Sequence, residues 1–209
     1  MNSIEQSVQV VAEAWKQSTY YEDAEAWTFI FWSEGHPFYP LFKHLDLTNV
    51  LELACGHGRH TEVIAGGTTK LILMDVHDEN LTYCRSRLAS FNHIEFCKNN
   101  GFDFKPVDNN SLNSVFCYDA MVHFSPDIVQ SYLRDTARVL KPGGMALYHH
   151  SNYPAPLDRH YGQNPHARNH MTEMLFRQYA NEAGLTIVET VPLTWGDVED
   201  LDRLTLLVR

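Results

Sequence analysis

Short apolar runs alternate with helix-like stretches from residue 49 onward, and this alternation constrains the fold more than any other feature of the chain. Asn49–Leu53, Lys70–Asp75, Ile94–Cys97, Ser114–Asp119 and Met145–His150 read as strands. Between them come a helix from the Gly58 turn through Thr61 to Ala65, stopped by Gly66-Gly67, and a second burying Leu81, Cys84 and Leu88. Ser125-Pro126 supplies an N-cap and a first-turn proline for a third helix, whose stripe of Ile128, Tyr132, Leu133, Val139 and Leu140 ends at Lys141-Pro142-Gly143-Gly144. Thr172 caps a helix carrying Leu175, Phe176 and Tyr179 and closed by Gly184; Leu185–Val191 and Leu204–Val208 give two last strands. Strand–helix units in series predict an α/β fold, an open and mostly parallel sheet with helices on both faces. In such sheets ligands sit beyond the carboxyl ends of the strands, where the strand order reverses.

The segment before the first strand is different. Ser3 and Gln6 form a capping-box pattern, Ile4, Val8, Val11 and Trp15 recur at helical spacing, and a helix is expected over about residues 4–17. An aromatic-rich stretch from Tyr20 to Leu45 follows. No repeat or Pro/Gly/Ser linker divides the chain, so its 209 residues are read as one domain, with 1–45 as an N-terminal helical lid on 46–209. Sixteen Lys and Arg against 26 Asp and Glu leave a net charge of −10, which argues against a nucleic-acid surface held by counterion release. The longest apolar run, Trp27–Trp32, is far short of the roughly 18 residues of a membrane span, and Met1–Gln6 lacks the basic start of a signal peptide. Cys55, Cys84, Cys97 and Cys117 show no CxxC spacing and read as free thiols of a cytoplasmic protein.

Chemistry concentrates in Leu51-Glu52-Leu53-Ala54-Cys55-Gly56-His57-Gly58. Gly56 and Gly58 allow a tight turn with close backbone approach to a ligand, beside the free N–H groups of a helix start. Glu52 stands inside an apolar strand, where a carboxylate needs a partner: a ligand ammonium group, or backbone amides at the strand end. Asp75 ends the second strand and is placed to accept from the hydroxyls of a ribose. The three-glycine nicotinamide fingerprint fails, because Thr61 holds its third position.

Glu52–Gly58 closely resembles the first motif of the class I S-adenosylmethionine-dependent methyltransferases. Asp75 matches that family's acid at the end of strand two, Asn99-Asn100-Gly101 falls where the family carries an adenine-binding Asp, and Arg138–Gly144 resembles its R-x-L-K-P-G-G turn. The resemblance implies a Rossmann-like seven-stranded sheet with the last strand antiparallel, and S-adenosylmethionine as methyl donor. Glu52, Ala54, Gly56, Gly58, Asp75, Val76, Asn100, Gly101 and Tyr118 become the expected cofactor contacts, with Tyr20 and Tyr21 reaching in from the lid. Ala54, where a glycine is usual, is expected to keep strand geometry, and the Asn100 amide oxygen to accept from the adenine amino group. Phe102 beside it is either a stacking partner of the ring or core.

Methyl transfer mainly needs alignment and, for a hydroxyl acceptor, a base. Asp119, His149 and His150 follow strands four and five and are the catalytic candidates. Adjacent residues of a strand point to opposite faces, so one of the two histidines should face the cleft; His150, nearer the strand's end, is favoured while both stay open. Substrate contacts are assigned to Trp27, His123, Asn152, Tyr153, Arg159 and Arg168, with solvated loop charges the alternative for both arginines. His160, His166 and His170 lack any HExxH or CxxC company and are read as a polar substrate-side loop rather than a metal site. The acceptor is expected to be a small polar molecule, a sugar or related hydroxylated compound. A nicotinamide-dependent oxidoreductase and a non-catalytic S-adenosylmethionine-binding subunit are the competing readings.

Overall fold

A computed structural model describes residues 3–16, 18–156 and 158–209. Its strands are β1 (Asn49–Leu53), β2 (Lys70–Asp75), β3 (Ile94–Lys98), β4 (Leu112–Cys117), β5 (Leu140–Ser151), β6 (Thr186–Trp195) and β7 (Val198–Val208). They form one seven-stranded sheet in the order β3-β2-β1-β4-β5-β7-β6. Only β7 runs against its neighbours, β5 and β6; the other pairs are parallel. The order reverses between β1 and β4, which fixes where a ligand cleft can open.

Eight α-helices accompany the sheet among the described residues: α1 (Ser3–Trp15), α2 (Tyr20–Asp23), α3 (Thr28–Phe31), α4 (Phe38–Phe42), α5 (Arg59–Ile64), α6 (Asp78–Arg87), α7 (Pro126–Val139) and α8 (Glu173–Glu182). Pleating sorts the core into two faces. Leu51, Leu53, Ile72, Met74, Val115, Cys117 and Tyr148 pack with α7, α8 and the Ile4 and Val8 side of α1. Val50, Leu71, Leu73, Phe116, Tyr118 and Leu147 pack with Phe31, Phe38, Leu41, Phe42, Ile64, Leu81 and Cys84. The aromatic stretch is therefore two things: Phe31 to Leu45 supply core, while residues 11–25 overhang the strand ends.

Local expectations hold with three corrections. Thr172 Oγ1 accepts from the Leu175 amide as a cap should, but the Ser125 hydroxyl bonds the Asp127 carboxylate instead of a helix amide. The Ser3 side chain of the expected capping box lies outside what is described. β7 extends back to Val198, because pairing with β6 carries a strand through the polar Glu199-Asp200 stretch that lacks apolar alternation. Ala54 does not keep strand geometry: its φ is 54°, the left-handed region, where an L-side chain costs about 1–2 kcal/mol. Among the described residues no helix is long and apolar enough to cross a membrane.

Ala54→Gly should relieve this strain and, after the extra entropy of a glycine in the unfolded chain, raise stability by up to about 1 kcal/mol, or about 2–4 °C in Tm. Thermal unfolding of the two proteins checks it.

Candidate functional site

A cleft opens over the carboxyl ends of β1, β2 and β4 and holds about 770 Å³ including its mouth. Its floor comes from Glu52, Ala54, Gly56 and Asp75, one wall from Arg59, His60, Tyr118, Asp119 and His123, and its roof from Trp15, Tyr20 and Tyr21. A narrower apolar slot continues it past Ala54 and Asp75 to Val76, Asn99, Gly101 and Tyr132, under Val8 and Val11 of α1.

The floor is acidic and dry. Glu52 is 3% exposed and accepts from the Thr61 hydroxyl at the start of α5. Burial is the main cause that lifts its carboxyl to about 7. Asp75 is also buried, and burial raises its carboxyl above the ordinary range. Its Oδ2 accepts from the Gly56 amide at 2.9 Å, and its Oδ1 from the His77 amide at 2.9 Å and Asn80 Nδ2 at 3.2 Å. Gly56 has φ 53°, and a Cβ there would stand 2.9 Å from the Tyr21 ring, so this loop needs glycine both for its turn and for the roof above it.

Across the cleft, Asp119 accepts from the Tyr20 hydroxyl and, at 3.0 Å, from Arg59 Nη2. Arg59 Nη1 donates to the Ala24 carbonyl at 2.8 Å, so one guanidinium ties the roof to the wall. Burial first, then the Asp119 charge, holds the Tyr20 phenol well above its ordinary pKa. Tyr20 thus stays protonated and donates.

The Asp119 main chain is held from beneath. Its φ is 60°, and its amide donates to His149 Nδ1 at 3.1 Å. With Nδ1 accepting from that amide, Nε2 is the ring nitrogen left to meet Asp202 Oδ2, at 3.1 Å. Asp202, fully buried, is gripped by Arg168 Nε at 3.0 Å and Nη2 at 2.6 Å. Desolvation resists the Asp202 charge, but His149 and Arg168 together outweigh it and bring the carboxyl down to about 2.

This arrangement corrects the reading of the histidine pair. His150 lies on the opposite face, stacked on Phe176 of α8 at 3.7 Å between centroids, with Nε2 on Thr205 Oγ1 at 2.9 Å. His149 faces the cleft side, 4.7 Å from the Tyr118 ring, but both its nitrogens are engaged and it is fully buried. Neither histidine is placed as a base. Arg168 is likewise committed to Asp202 inside the fold rather than held out to a substrate.

Residues 50–144 match the family model described as a methyltransferase domain. The middle of the chain is thus similar to a methyltransferase domain. A demethylmenaquinone methyltransferase of Tropheryma whipplei (strain Twist) is 29% identical over 117 residues, covering 54% of this chain and 47% of that protein, so the chain spans about half the length of this curated relative. Among solved structures, a complex between the Haloferax volcanii Trm112 methyltransferase activator and a methyltransferase superposes with a TM-score of 0.70 at 18% identity, covering 94% of this chain and 96% of that one. An Aquifex aeolicus SAM-dependent methyltransferase gives 0.66 at 15% identity, covering 91% and 97%. At such identities the structural matches speak for the fold.

The other expected site residues separate within the fold. Tyr20, Tyr21, Glu52, Ala54, Gly56, Asp75, Tyr118, Asp119 and His123 line the main cleft, and Val76 and Gly101 the slot. Gly58 (φ 75°) instead opens α5. Asn100 is exposed and its oxygen accepts from the Phe102 and Asp103 amides at 3.0 Å, while the buried Asn99 lines the slot with its own oxygen accepting from the Gly101 amide and the Tyr132 hydroxyl, both at 2.6 Å. Trp27 is 44% exposed and off the cleft. Asn152 bonds the Asp200 carbonyl and the Glu173 amide, and Arg159 is exposed; neither they nor Tyr153 lines the cleft. His160, His166 and His170 take separate places, His160 on the Gly162 amide and His170 on the Ala155 carbonyl. Arg59, His60 and Asp202 were overlooked; the first two directly follow the glycine turn, and an acid between Leu201 and Arg203 in a buried strand was the available signal for the third.

Between pH 4.5 and 7 the folded state holds a proton on Glu52 that the unfolded chain releases, so this group makes stability fall as pH rises through that window. Glu52→Gln should remove that slope: its melting temperature should exceed the wild type's at pH 8 and converge with it near pH 5. Thermal melts across pH test this.

Proposed function

We propose that this chain transfers a methyl group from S-adenosylmethionine to an oxygen or nitrogen of a small molecule. The observation that carries the reading is one continuous groove with Glu52 and Asp75 on its floor and the Tyr20–Asp119–Arg59 cluster facing them. The residues present suit the cofactor. Glu52 would meet a cationic amino-acid end. Asp75 has about one of its roughly four acceptor positions left after the Gly56, His77 and Asn80 bonds, enough for one ribose hydroxyl. The apolar slot beside Val76 and Gly101 would take the flat base. When bound, the cofactor supplies an electrophilic methyl on its sulfonium.

The chain's own residues then do three things. Tyr20, Tyr21 and Trp15 exclude water from above. Asp119 accepts the proton of an acceptor hydroxyl as it becomes nucleophilic, a contribution of about 10²–10⁴-fold. Arg168, Asp202 and His149 act as positioning residues, holding the Asp119 main chain so that its carboxylate stays in the cleft. The charge of −10 supports a small acceptor over nucleic acid. A sugar acceptor loses its support, since Arg168 is spent within the fold and Arg159 lies off the cleft.

Calorimetry with S-adenosylhomocysteine should show binding, weakened about tenfold or more, roughly 1.4 kcal/mol, in Asp75→Ala. Absence of binding by well-folded protein overturns the reading. With an acceptor drawn from a hydroxylated panel, Asp119→Asn should lower kcat about 10²–10⁴-fold while leaving S-adenosylhomocysteine affinity intact. His149→Ala should lower kcat in the same way, and His149→Gln, whose amide can both accept and donate, should restore part of it.

A further inference from the structure

Two polar atoms in the cleft wall lack partners among the described residues. Tyr118 Oη and His60 Nε2 are both buried, and neither makes a hydrogen bond. Their rings meet edge to face at 5.3 Å, and both residues line the cleft. The Trp32 indole N–H donates to His60 Nδ1 at 3.1 Å. An indole is only a donor, so His60 Nδ1 carries the lone pair and Nε2 the proton. Burial keeps His60 neutral and the Tyr118 phenol protonated. The wall therefore presents an N–H and an O–H, each left unsatisfied at a cost that a structure bears only for a reason. Trp15 lines the same cleft, its indole N–H directed to the Tyr161 phenol.

The ligand that answers these groups is constrained in three ways. It brings hydrogen-bond acceptors, because the unpaired groups donate. It carries no anionic group at that end, because Glu25, Glu52, Asp75 and Asp119 outnumber Arg59 around the cleft. It is flat and largely apolar, because rings of Trp15, Tyr20, Tyr118, His123 and Phe124 form much of the surface. A polyol would bury many hydroxyls against few open partners. The geometry points to an acceptor-substrate subsite for a planar aromatic compound, its neutral carbonyl oxygen held by His60 and Tyr118 and its hydroxyl facing Asp119. This rests on the methyltransferase reading and names the acceptor class for the same cleft.

The test uses the full chain and ligand-observed NMR with three probes: para-hydroxyacetophenone, para-ethylphenol, which has the same outline without the carbonyl, and methyl glucoside. The carbonyl probe should bind about tenfold or more tighter than para-ethylphenol, and both should exceed methyl glucoside. Tyr118→Phe removes only the unpaired hydroxyl, so it should melt no lower than the wild type and lose most of the carbonyl preference. On titration, the His60 Nε2 nitrogen resonance should shift. Equal binding of the two aromatic probes, a preference for methyl glucoside, or competition of the carbonyl probe with S-adenosylhomocysteine would each overturn the subsite. Failure of S-adenosylhomocysteine to bind would instead sink the methyltransferase reading, and calorimetry reads it separately.

Discussion

A carboxylate removed from water holds the top of this sheet together. Asp75 ends β2, yet it accepts from the amide of Gly56 in the loop after β1, from the His77 amide just downstream and from the Asn80 side chain on α6. Charge-assisted bonds of this sort are stronger than neutral ones, and here they join two loops whose backbones would otherwise present open N–H groups. The left-handed turns at Ala54 and Gly56 put the Gly56 amide where the carboxylate can reach it. The rest of the cleft is arranged around that joint.

The distribution of cations follows a matching logic. Arg59 is bonded to Asp119, Arg87 to Glu25 and Glu62, and Arg168 to Asp202. Glu52 and Asp75 have no ion-pair partner among the described contacts and rely on a hydroxyl or on amides. Such a floor is electrostatically incomplete, which suits a cationic ligand better than an anionic one. The wall opposite reverses the pattern: its charges are internally balanced, and its open groups are neutral donors.

Much of this was legible in the sequence. The strand–helix alternation, the glycine turn and the acids at positions 52 and 75 follow from local chemistry, and the sheet carries them where expected. Parity in a strand established that His149 and His150 point opposite ways; it does not say which face holds the cleft, because that depends on where α3, α4 and α8 pack. Arg168 reads as a loop charge until its partner, 34 residues on in β7, is brought beside it. Asn99 and Asn100 are chemically identical neighbours whose side-chain oxygens both accept from downstream amides, and only the burial of Asn99 against Tyr132 distinguishes them.

The slot beneath α1 has a last implication. Gly101 lies at φ 89°, and a methyl group added to it would collide with the Val8 side chain. Floor and cover there are in mutual contact, with no slack for even one carbon. Substitutions at these two positions are therefore not independent: a bulkier floor is tolerable only alongside a trimmed cover, so the histories of residues 8 and 101 should be written in pairs.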